Sequence, residues 1–131
     1  MKKTYQNKSV PQLKKIAERH FNKYIRLRDQ NKPCISCSTG GAEQCGHFYS
    51  GGNYSALKFD ADNSHGQCKK CNYFLSGNLT EYEKSLRRRI GDERVEKLHI
   101  KAGAYKRTGY KWDRFFLVDV IETYKQKCKS L

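Results

Sequence analysis

Four cysteines carry the strongest chemical signal in the chain. Cys34-Ile-Ser-Cys37 and Cys68-Lys-Lys-Cys71 are two CxxC pairs with 30 residues between them. Each pair can clamp one side of a tetrahedral zinc at a Zn–S distance of ~2.3 Å, and thiolates suit this borderline-soft ion. Lys69 and Lys70 would offset part of the charge of a four-thiolate site. A redox CxxC is the competing reading, but it is expected once, beside a strand–helix unit, and two pairs in a lean basic chain favour zinc. Four thiolates leave no open position, so this zinc is structural and catalysis must lie elsewhere. Cys45 and Cys128 read as small core residues.

A second constellation lies between and just after the clamps. Gly46-His47-Phe48-Tyr49 is followed by Asp62-Asn63-Ser64-His65-Gly66-Gln67, and Asn72 comes directly after Cys71. A neutral imidazole can take a proton from water that attacks a phosphodiester. An amide oxygen can serve a hard divalent cation that polarises the phosphate. Blander roles stand beside these: a helix cap for Asn72, a structural hydrogen bond for Asn63, and for His65 a hydrogen bond to a thiolate.

In this order and spacing the residues resemble the HNH, or ββα-metal, nucleases, in particular their zinc-clamped branch. The cysteine pairs, Gly46-His47-Phe48, Asn63-Ser64-His65-Gly66-Gln67-Cys68, Cys71-Asn72 and Leu75-Ser76-Gly77-Asn78 are similar to the NinG (Rap) recombination nuclease family of lambdoid phages. Asn22-Lys23-Tyr24-Ile25-Arg26-Leu27-Arg28-Asp29 is similar to the same family, so the resemblance covers residues 22–98. It implies His47 as general base, Asn63 as the residue that holds the ring's orientation, and Asn72 as a ligand of a catalytic Mg2+ or Mn2+. It also implies a phage-encoded protein working in the cytoplasm of a bacterial host. One position departs from the pattern. Many zinc-clamped relatives place an Asp before the catalytic His as a second metal ligand, and here that residue is Gly46. His65 is the first substitute and Glu43 the second; an imidazole ligand would favour manganese over magnesium.

The elements that must position these groups follow from periodicity. Ser9-Val10-Pro11 reads as a helix start, and Leu13, Ile16, Ala17, Phe21, Tyr24 and Ile25 form one apolar stripe ending near Asn31. From 33 to 78 no helical period survives; short extended pieces at 44–49 and 56–60 flank a turn at 50–53. Helix resumes at Leu79 and breaks at Gly91, and Asp92 caps a short second piece carrying Val95 and Leu98. Residues 101–111 read as a Gly- and Lys-rich connection, and a last helix runs over about 112–127. The expectation is one α+β domain of 131 residues: a helix at 9–31, a zinc-stapled ββα-metal centre at 33–90 and a helical extension at 91–131.

Net charge is +14, from 27 Lys and Arg against 13 Asp and Glu. Such an excess implies a polyanionic partner, nucleic acid above all. No stretch has the length of a membrane span, and no apolar run follows the N-terminal charges, which excludes a membrane protein and a secretory signal. Arg87, Arg88 and Arg89, then Lys101, Lys106, Arg107 and Lys111, interleaved with Tyr105 and Tyr110, are the candidate DNA-contacting residues. Trp112, Phe115 and Phe116 suggest an apolar surface for a homodimer. The function expected is a metal-dependent DNA endonuclease that selects branched or single-stranded DNA, such as a Holliday junction or D-loop. The alternative is a zinc-stapled DNA-binding module without hydrolytic activity.

Overall fold

Ser9 starts a 19-residue helix: its hydroxyl accepts from the Gln12 N–H while the Gln12 side chain accepts from the Ser9 N–H, a reciprocal cap. The structure is a computed structural model describing residues 1–108 and 111–131, with the side chains of Arg107 and Thr108 outside the description. Tyr110 and the Arg107 side chain, both expected at the DNA surface, therefore lie outside the described residues. The elements are α1 (Lys3–Gln6), α2 (Val10–Arg28), β1 (Gln44–His47), β2 (Ser64–Gln67), α3 (Leu79–Ile90), α4 (Asp92–Thr108) and α5 (Arg114–Lys129). Two 3-10 turns, Ser55–Leu57 and Ala61–Asn63, and a π-helical turn, Lys70–Phe74, fill the centre. The class is α+β, and among the described residues no helix is long and apolar enough to cross a membrane.

Two apolar clusters hold these elements. Leu13, Ala17, Phe21 and Ile25 on α2 meet Leu117, Val120, Ile121 and Tyr124 on α5, so the two ends of the chain close on each other. Trp112 and Phe116 pack onto this cluster, and only Phe115 of the expected dimer surface stays exposed. Trp112 and Phe116 are half-buried there, so much of the apolar surface that the sequence offers at this end packs within the chain. The second cluster joins Ile35 and Leu57 of the centre to Tyr82 and Leu86 on α3 and Val95, Leu98 and Ala102 on α4.

β1 and β2 pair antiparallel, with Gln44 opposite Gln67 and His47 opposite Ser64. Side chains alternate across a strand, so Cys45, His47, Ser64 and Gly66 share one face and Gln44, Gly46, His65 and Gln67 the other. The first face lies toward α2: Cys45 packs on the α2–α5 cluster, and buried Asp29, just past α2, accepts the Gly66 N–H at 2.8 Å. Arg28 clips the same helix end to the carbonyls of Ala61 and Ser64.

Two expected elements move. The second strand is Ser64–Gln67 rather than 56–60, whose 3-10 turn sinks Leu57 into one cluster, with Phe59 just beyond it in the other. A strand reading Ser-His-Gly-Gln has no apolar alternation because both its faces are covered and all four residues are buried. Residues 101–108 also continue α4 instead of forming a connection. Ala102 packs into the second cluster, and that anchoring outweighs the ~1 kcal/mol that Gly103 costs a helix.

Candidate functional site

The four cysteines converge as their spacing predicts. Their Sγ atoms all lie within 4.8 Å of one another. Cys37 and Cys68 are 3.8 Å apart, which matches the ~3.8 Å edge of a tetrahedron with ~2.3 Å bonds. Every sulfur also accepts a hydrogen bond: Cys34 from Ser36 N, Cys37 from Gly40 N, Cys68 from Cys71 N and Cys71 from Asn78 Nδ2. Donors aimed at all four sulfurs suit thiolates and not thiols. The Thr39 hydroxyl and neighbouring N–H groups draw the Cys37 thiol down to about 6, whereas burial pushes Cys71 up to about 12. Donor set and geometry fit a structural zinc. The thiolate partner expected of His65 is instead Asn78.

His47 ends β1 on the α2 face, its ring centroid 6.2 Å from that of Phe21. Its Nε2 lies 2.8 Å from the Lys58 carbonyl oxygen, which can only accept, so Nε2 carries the proton and Nδ1 is the basic nitrogen. Burial lowers its pKa below the ordinary value, so the ring is neutral at pH 7. His47 is one of the residues lining an open groove of about 470 Å³, with Phe48, Tyr49, Tyr54, Ser76, Leu79, Glu83 and His99.

Asn63 does not touch the His47 ring. Its amide pairs with the next turn of backbone instead, accepting from Tyr49 N at 2.8 Å and donating to Tyr49 O at 2.9 Å and Leu57 O at 3.1 Å. It positions the wall of the groove beside His47. The constellation that sequence reading missed is in that wall. His99 Nε2 donates to Glu83 Oε1 at 2.7 Å, which leaves Nδ1 to accept from the Tyr49 hydroxyl. A chain of carboxylate, imidazole and phenol therefore ties α3, α4 and the loop after β1 together at the groove. Its members are 16 and 34 residues apart in sequence, and no local motif marks them.

The residues proposed for a catalytic ion are not brought together. Asn72 donates to Gln44 Oε1 at 2.9 Å, at the opposite end of β1 from His47 and on the opposite face of the sheet. His65 is on that second face too, buried near the Tyr82 hydroxyl, and burial with Arg28 nearby pushes it down to about 3. It is therefore no substitute ligand beside His47, because strand alternation turns it away. Glu43 accepts from the Lys69 N–H near the knuckle. The space that a side chain at position 46 would need is filled: a Cβ on Gly46 would stand 1.9 Å from Gln67 Oε1 and 2.9 Å from Gln67 Cβ. Gln67 cannot swing aside, since its Nε2 is held by Ser36 Oγ and Gly77 O. Among the described residues, the cysteines form the only group of three or more Cys, His, Asp or Glu side chains close enough to share an ion.

The basic residues divide. Arg87 is bound by Glu83, Asp92 and Glu96, and Lys101 by Asp60, so neither is a free cation. Arg89 turns inward toward Asp29. Arg88 and Lys111 are exposed, and Lys106 reaches from α4 over the Tyr54 ring at the groove.

Compared with known proteins, residues 1–131 match the family model described as Bacteriophage Lambda NinG protein. The chain is 35% identical over 119 residues to Protein ninG of Escherichia phage 933W, covering 89% of this chain and 57% of that protein. It is 34% identical to Protein ninG of Escherichia phage lambda and 36% identical to that of Salmonella phage P22, over 89% of this chain and 56% of each relative. The chain thus spans about half the length of these relatives. No solved structure matches it.

Proposed function

Because the chain belongs to the NinG family along its whole length, we propose that it is an HNH-type DNA endonuclease acting on branched or single-stranded DNA in a phage-infected bacterial cell. The observation that carries this reading is His47: a neutral ring with Nε2 pinned by the Lys58 carbonyl, on a residue that lines an open groove. Nδ1 takes a proton from water, the resulting hydroxide oxygen forms a bond to phosphorus, and the bond to the leaving oxygen breaks as that oxygen takes up a proton from solvent, after which His47 returns its own proton to solvent. Asn63 fixes the backbone of the groove wall, and Lys106, Arg88 and Lys111 supply phosphate contacts. When bound, zinc supplies folding energy through Cys34, Cys37, Cys68 and Cys71.

The residues present do not fit a resident catalytic Mg2+ or Mn2+. Asn72 lies at the far end of β1 from His47, the Glu43 carboxylate is held by the Lys69 N–H, and Gln67 fills the place a carboxylate at position 46 would take. No step is therefore routed through such an ion. The same observation favours a second reading, a zinc-stapled DNA-binding module without hydrolysis. Supercoiled plasmid and synthetic four-way junctions, flaps and duplexes, incubated with Mg2+ or Mn2+ and with neither, separate the two. The nuclease reading expects cleavage that His47→Ala abolishes while binding survives. Binding without cleavage of any substrate by the wild type would establish the module instead.

A further inference from the structure

The turn after the second CxxC carries aromatic side chains that neither the cysteine cluster nor the His47 groove uses. Tyr73 is 73% exposed and Phe74 68%, their rings edge to face at 5.2 Å. Leu75 and Leu79, at 47% and 45%, extend the same apolar ridge. Four large apolar side chains in seven residues stand in water in a chain whose core is already lean.

The ridge is a rigid platform. Its π-helical turn begins inside the second CxxC pair, Gly77 N bonds Cys71 O at 2.7 Å, and Asn78 Nδ2 donates to the Cys71 sulfur. Single π-turns are uncommon and occur often at functional sites. Lys69 and Lys70, both exposed, flank it. At its other end Leu79 and Ser76 line the groove that holds His47. The ridge therefore joins aromatic faces, positive charge and the edge of the proposed nuclease groove.

We propose that Tyr73 and Phe74 are a stacking site for unpaired nucleobases, which selects single-stranded or branched DNA and leads that strand toward the His47 groove. The inference deepens the DNA reading above and rests on it. Paired bases already stack on their neighbours, so only bases freed at an end, a single strand or a branch point have a face to offer. Aromatic stacking contributes without reading sequence. A second copy of the chain is a poorer occupant, since it would bring the same lysines and the same net charge of +14 to the contact.

The test measures equilibrium binding without added divalent ions, so that nothing is cut. The probes are a single-stranded oligonucleotide, a four-way junction and a plain duplex, with the full chain and with Tyr73→Ala, Phe74→Ala and Phe74→Trp. At about 1–3 kcal/mol per stacked base, each alanine should weaken single-strand and junction binding by about 5- to 150-fold. Duplex affinity and the salt slope should be unchanged, and Phe74→Trp should bind as the wild type does. Zinc content and circular dichroism establish that each variant is folded. Equal losses on all three DNAs, or no loss on any, would overturn the proposal. So would a wild-type dimer that the alanine variants dissociate, which would make the ridge a self-contact. A wild type that binds no DNA at all removes the functional reading along with this one, whereas binding without discrimination by the variants removes this one alone.

Discussion

The cysteine knuckle and the His47 groove lie side by side and are held by opposite means. In the knuckle the bonds are local: Ser36 N reaches Cys34, Gly40 N reaches Cys37 and Cys71 N reaches Cys68, each within three residues. In the groove they are distant. Lys58 holds His47 from 11 residues away, Asn63 holds Tyr49 from 14, and His99 meets Tyr49 from 50. A zinc held there would concentrate the energy of the knuckle in four side chains. The groove spreads its energy over hydrogen bonds that each contribute ~1 kcal/mol. Damage to the knuckle should therefore be global, and damage to the groove local.

The largest effect expected is loss of the zinc. Cys34→Ser or Cys71→Ser removes a site contributing roughly 10 kcal/mol or more, as much as the entire net stability of a typical domain. The centre should unfold, read as zinc per chain and as thermal melting. A fully folded, metal-free Cys71→Ser variant would reject the four-cysteine assignment.

His47→Ala tests the opposite limit. Under the nuclease reading the cleavage rate should fall by ~10²–10⁴, the range for a general base, with zinc content and DNA affinity kept. The pH profile sharpens this. Only the neutral ring accepts a proton, and burial lowers the folded pKa. The wild-type rate should then be at its plateau at pH 7 and fall on acidification, with a midpoint below the ordinary ~6.5. A midpoint above that value would contradict the buried setting described here.

Asn63→Ala comes next. It strands Tyr49 N, Tyr49 O and Leu57 O, for a loss of about 2–5 kcal/mol in urea unfolding. Zinc should stay bound, because Asn63 touches no cysteine ligand. Zinc loss in this variant would show that groove and knuckle are one cooperative unit.

The smallest effects separate the arginines. Arg88→Ala and Lys106→Ala should each lower the salt slope of DNA binding by ~0.9, as expected for one duplex phosphate contact. Arg87→Ala should leave it nearly unchanged, because three carboxylates already occupy that guanidinium. Equal slopes for all three variants would put the DNA surface elsewhere.

Much was legible in the sequence wherever the cause is local. Ser9 caps α2, and Leu13, Ala17, Phe21 and Ile25 are buried, because each depends on residues a turn or less apart; the two CxxC pairs meet across 30 residues, but each pair is itself local and four thiol ligands have one common way to be satisfied. The tertiary structure alone decided the rest. Strand Ser64–Gln67 has no apolar alternation to reveal it, since helix α2 covers one of its faces and Tyr82 and Gln67's partners crowd the other. Arg87, a free cation on paper, is neutralised by Asp92 and Glu96 from α4, and Trp112 packs half-buried against the α2–α5 cluster. Whether His65 could stand beside His47 was settled by the strand register, since a single-residue step in a strand turns a side chain to the opposite face. Composition and spacing determine which groups the chain owns; the pairing of distant segments decides which of them face one another.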